Sequence, residues 1–97
     1  MGPMCGAAVR VKKPIQTRKY IFASNAIVDV TVHPGTIGLF WDHQTDLGRW
    51  RVSFFKHPEI EGDGYGVLEI STLDDIEFIP KDQYLPEWGA PPDVLKS

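Results

Sequence analysis

The sequence predicts a small all-β protein of five to six short antiparallel strands. Apolar residues recur at every second position in short bursts, and no long stretch repeats them at helical spacing. Eight prolines and nine glycines fall mostly between those bursts, where the chain has to turn. Ninety-seven residues leave room for one core and no second one.

The first burst sets Val9 and Val11 against Arg10 and Lys12 and ends near Pro14. In the second, Val28, Val30 and Val32 alternate with Asp29 and Thr31. Ile37, Leu39 and Trp41 mark a third strand. Trp50, Val52 and Phe54 mark a fourth, with Arg49, Arg51 and Ser53 facing the other way. Residues 67–71 give a fifth and residues 76–79 a last, closed by Pro80, which has no N–H to add to a ladder. Between the second and third strands the chain reads VHPGTIGLFW. Pro34 presets φ for the first corner of a type II turn, and Gly35 supplies the positive φ required next. Gly38 sits inside the following strand, where a missing side chain permits a bulge or sharp bend. All three are expected to be architectural.

A strand, Gly-x-x-Gly, a strand, a long polar loop and another strand resemble the small Src-homology-3-like barrels, and among them the KOW-type Gly hairpin. The resemblance implies a barrel over residues 8–80, a flexible N-terminus at 1–7 and an extended C-terminal tail at 81–97. It makes STLDDIEF the single helical turn, residues 71–75, that precedes the last strand, with Ser71 or Thr72 as cap and Leu73 pointing inward. Residues 15–25 become the variable first loop. No family-specific motif accompanies the pattern.

Composition excludes several classes. At 42% hydrophobic and 24% charged, the chain reads as globular rather than disordered. Its longest apolar run, residues 37–41, is too short to span a bilayer, so no membrane partner is expected. The N-terminus lacks the apolar stretch of a secretory signal, and Gly6 stands where a myristoylation signal needs Ser or Thr. A single cysteine, Cys5, permits no internal disulfide and fits a reducing compartment, with cytoplasm the expectation. Charge is unevenly placed. Residues 1–56 carry eight Lys/Arg against three acids, a balance of +5, and residues 57–97 carry two against ten, a balance of −8. Solvated polar faces explain such a split, and so does a dipolar molecule that docks head to tail or steers a charged partner.

Signals for catalysis are poor: there is no G-x-S-x-G, no phosphate loop and no His-x-x-x-His. Nor is there the Val-Gln-Ile-Tyr stretch of the drug-resistant dihydrofolate reductase built on such barrels; Val67-Leu68-Glu69-Ile70 is the nearest string. Cys5 reads as a free thiol in a terminal segment. His33 and His57 precede prolines in turns, and Asp42, His43 and Asp46 on one polar loop read as hydrated side chains, so neither metal nor cofactor is expected. The aromatic set, three Trp, three Tyr and five Phe, exceeds what so small a barrel can enclose. Trp41, Trp50, Phe54 and Phe78 fit inward registers; Phe40 and Phe55 fall on the opposite faces of their strands. With Tyr65, Tyr84 and Trp88 they form the expected partner-binding patch. The tail segment QYLPEWGAPP either folds back over that patch with Tyr84, Leu85 and Trp88 or lies on a neighbouring subunit. The expected function is a non-catalytic module that binds another protein, first another copy of itself, as a homo-oligomer. One alternative is nucleic-acid binding through Arg10, Lys12, Lys13, Arg18, Lys19 and a stacking Tyr20, against which stands a pI near 5.5. Another is a small-ligand site between subunits.

Overall fold

The computed structural model describes residues 2–55 and 65–95. Strands follow in the order β1 (Ala8–Val11), β2 (Ile15–Ile21), β3 (Ala26–Val32), β4 (Ile37–Gln44), β5 (Trp50–Phe54), β6 (Gly66–Ile70) and β7 (Ile76–Phe78), and two 3-10 turns, Lys81–Gln83 and Pro86–Trp88, complete the described elements. A five-stranded sheet runs β6-β5-β4-β1-β7, and β2 and β3 form a separate hairpin. All pairings are antiparallel. Strand pairing does not close the sheet on itself: β6 and β7 are its edges among the described residues. The protein is mostly β, and no helix is long and apolar enough to cross a membrane among the described residues.

The core follows from the period-two patterns. Val9 and Val11 of β1, Phe40 of β4, Val52 and Phe54 of β5, Leu68 and Ile70 of β6 and Ile76 of β7 form one buried cluster, joined by Ile15 and Val32 from the two ends of the hairpin that meet the sheet. Arg51 and Ser53 alternate with the buried residues of β5 and remain half-exposed. The cluster is the only large apolar store in the described chain, and its burial drives the fold.

The turn before β4 takes the expected form. Gly35 has φ of 92°, and Thr36 N–H donates to His33 O at 3.2 Å. Thr36, fully buried, adds its own hydroxyl to the same carbonyl at 2.7 Å. Gly35 N–H in turn donates to Val11 O at 2.8 Å, which docks the turn on β1.

Five expectations change. Residues 15–21, read as loop, are a strand whose residues pair from Ile15↔Val32 to Ile21↔Ala26. Its inward positions include Thr17 and Lys19, which hydrogen-bond rather than pack, so the apolar period that marks a strand is absent. The phase of β4 is shifted by one: Gly38 and Phe40 face the core, Phe40 being 2% exposed, and Trp41 turns outward at 36%. A Cβ on Gly38 would lie 2.7 Å from Val52 Cγ1 and 2.8 Å from Phe54 Cδ1, so the glycine makes room for two core side chains rather than a bend. The bulge comes later, between Phe40 and Gln44, where Asp42 adopts φ of 48°. Residues 71–75 form a bend and turn instead of a helical turn, with Thr72 Oγ1 accepting from Asp74 N–H at 3.1 Å and Leu73 partly buried against the core as expected. Residues 2–7, read as a flexible lead-in, lie along β4: Met4 N–H donates to Asp42 Oδ2 at 2.7 Å and Gly6 N–H to Phe40 O at 2.6 Å.

The tail folds back on its own domain. Tyr84 accepts a hydrogen bond from the buried Ala8 N–H at 2.7 Å, Leu95 is 8% exposed within the core cluster, and Lys81 Nζ donates to Asp93 O at 2.9 Å.

Candidate interaction surface

The expected aromatic patch does not assemble as a surface. Phe40 is inside, its ring 5.5 Å from that of Trp50 and 5.3 Å from that of Phe78. Phe55 is half-buried and continues the β4–β5 pairing through its N–H to Ile37 O at 2.8 Å. Tyr65 and Tyr84 pack against the core cluster, and Trp88 stands edge-on to Tyr84 at 5.6 Å. The reason is the shifted phase of β4, which sets Phe40 against Trp50 and Phe78, together with the returning tail, which carries Tyr84 back onto the core.

Exposed apolar side chains gather instead on the hairpin and the edge strand beside it. Phe22 is 89% exposed, Ile27 65%, Val67 46% and Tyr20 45%. Tyr20 and Ile27 are directly opposite in the hairpin, and the Phe22 ring meets Tyr20 edge-on at 4.9 Å. The tyrosine hydroxyl bonds Asn25 Oδ1 at the hairpin tip, where Asn25 takes the left-handed conformation that asparagine tolerates.

Between hairpin and sheet runs a trough. Thr17 Oγ1 donates to Glu69 O at 2.7 Å and Lys19 Nζ to Tyr65 O at 3.0 Å, so side chains, not a backbone ladder, join β2 to the free edge of β6. Above these bridges lies an open groove of about 430 Å³ lined by Tyr20, Ile27 and Val67 together with Arg18, Lys19, Arg49 and Glu69. A more polar hollow of about 310 Å³ continues it past Gln16 and Ser71, sharing Thr17, Arg18, Arg49 and Glu69. Carbonyls on one edge of a strand recur at every second residue. That of Glu69 faces β2, so that of Val67, two residues earlier on the same strand, points the same way, and no described side chain bonds it. The trough therefore offers an apolar floor, a basic rim and an open backbone acceptor to an extended chain.

The basic residues expected to meet nucleic acid are divided. Arg10 pairs with Glu77 at 3.1 Å, Arg18 with Asp29 at 3.4 Å, and the Lys19 ammonium is held on Tyr65 O. Arg10 lies on β1 of the sheet and Arg18 and Lys19 on the hairpin, while Lys12 and Lys13 are exposed in the link between them. Both Lys12 and Lys13 donate their backbone N–H to Asp75 O. Tyr20 faces the trough rather than the Lys12–Lys13 link.

No group of three or more His, Cys, Asp and Glu side chains could hold a metal ion among the described residues. The Asp42 carboxylate is engaged by the N-terminal segment, and His57 lies outside the described residues. Sequence reasoning missed Phe22, Ile27, Arg49 and Val67. A signal for Ile27 was present: adjacent to Val28 in an alternating strand, it has to face the opposite side and so outward. Set against protein-family models, curated proteins and solved structures, the chain finds no match.

Proposed function

We propose that the chain is a non-catalytic protein-interaction module, a Src-homology-3-like barrel that holds an apolar and acidic segment of another protein over the trough between the β2–β3 hairpin and β6. A sheet ordered β6-β5-β4-β1-β7 with a hairpin inserted between β1 and β4 is similar to the arrangement of those barrels. The observation that carries the binding role is the concentration of Tyr20, Ile27 and Val67, exposed apolar residues from two separate elements, on one groove. Exposed apolar residues brought together from distant parts of a chain mark an interface more often than chance exposure does. Arg18, Lys19 and Arg49 around them favour a segment that carries acidic residues beside its apolar ones. With a single cysteine, the module belongs in a reducing compartment, the cytoplasm.

The test is a nuclear magnetic resonance titration with extended peptides that combine acidic and apolar residues. Shift changes should be confined to residues 17–20, 27 and 67–69 and vanish in Ile27→Asp. Changes centred on Lys12 and Lys13 with an oligonucleotide at low salt, and none with peptides, would replace this reading by nucleic-acid binding.

A further inference from the structure

We propose that the occupant of the trough is the C-terminal tail face of a second copy, so that copies of the chain join head to tail. The proposal rests on the binding role assigned to the trough and adds who binds there. The tail is already shaped for docking: the Lys81–Asp93 bond closes its ends, Tyr84 is held on Ala8 and Leu95 is in the core. A pre-ordered surface gives up little freedom when it binds. That surface exposes Leu85 at 46% and Val94 at 52%, beside the exposed carboxylates of Asp82, Glu87 and Asp93.

The charges complement one another. Three cations and one anion line the trough, a balance of +2. Over residues 81–95 three acids stand against Lys81, a balance of −2. Arg10, Arg18 and Arg51 each have a carboxylate partner, but Arg49 on the trough and Glu87 on the tail have none among the described residues. Within one copy the two surfaces do not meet: no residue of 81–95 lines the trough, and the tail is held on Ala8 and the core. A contact between tail face and trough is therefore heterologous and leaves an unused surface at each end.

The experiment uses two variants of the full chain that alter only exposed side chains, with folding checked by circular dichroism. The trough variant is Ile27→Asp with Arg49→Glu, and the tail variant is Leu85→Lys with Glu87→Lys. Light scattering should show the unaltered protein gaining mass with concentration, less so when salt is raised from about 50 to about 500 mM, since exposed charge pairs are screened. Each variant alone should associate at least about tenfold more weakly. A one-to-one mixture of the two should form dimers and stop there, because one intact trough and one intact tail face survive per pair. Unaltered protein that stays monomeric at every concentration overturns the proposal, as does a mixture that stays monomeric. If acidic peptides still bind the trough of that monomer, only the self-partner falls; if they do not, the binding role falls with it.

Discussion

Single residues set the most local constraints. Gly35 at φ of 92° is in the left-handed region, so Gly35→Val should cost on the order of 1–3 kcal/mol as backbone strain. Gly38 is different in kind: its backbone is ordinary and its surroundings are full. Gly38→Ala would press a methyl onto Val52 Cγ1, Phe54 Cδ1 and the Ser53 carbonyl, the last at 3.1 Å. Overpacking of that sort should lower stability by about 1–3 kcal/mol in urea unfolding. A third test is Tyr84→Phe, which removes one oxygen and leaves the Ala8 N–H buried without an acceptor. An orphaned buried donor costs about 1–3 kcal/mol, and unchanged stability would mean that the tail does not hold that position in solution.

At the scale of elements, the hairpin is the part attached most lightly. Its strands pair with each other along seven residues, but it meets the sheet through Ile15, Val30 and Val32 near its open end and through Thr17 and Lys19. Thr17→Val with Lys19→Met should leave the sheet intact and speed amide exchange over residues 15–32 while protection in β4 and β5 stays unchanged. Equal acceleration in both regions would show that hairpin and sheet open as one unit. Register in these elements is reinforced by charge: Arg10 is opposite Glu77, Arg18 opposite Asp29 and Arg51 opposite Glu69, each pair directly across its ladder. A one-residue slip would send the partners to opposite faces. Two of these pairs join the basic and acidic halves of the sequence, so part of the charge split is used inside the fold.

For the molecule as a whole, the returning tail is the decisive feature. Deleting residues 83–97 removes Leu95 from the core and the acceptor of Ala8 N–H together. A buried leucine and one buried hydrogen bond make the expected loss on the order of 3 kcal/mol, which for a chain of this size lowers Tm by about 12–24 °C. The same deletion should abolish the head-to-tail association proposed above, separating it from a truncation that only destabilises.

The sequence by itself determined that the chain is β-rich, where most strands lie, and that a type II turn precedes β4, because period-two burial and the φ demands of Pro34 and Gly35 are local properties. It placed β5 and β6 and the inward sets of Val9 and Val11, Val52 and Phe54. It also drew Arg18, Lys19 and Tyr20 forward as candidates, although for nucleic acid rather than for the protein-binding role proposed for the trough. Only the tertiary structure decided that Phe40 is inside and Trp41 outside. The inward slot at Gly38 is filled by Val52 and Phe54 of another strand, and a glycine read alone shows no face. It decided too that β2 is a strand, since Thr17 and Lys19 face inward to bond the carbonyls of Glu69 in β6 and Tyr65 just before it, partners some fifty residues away. The trough exists only where those two elements meet, so Ile27, Arg49 and Val67 become one surface through a contact that no local pattern encodes.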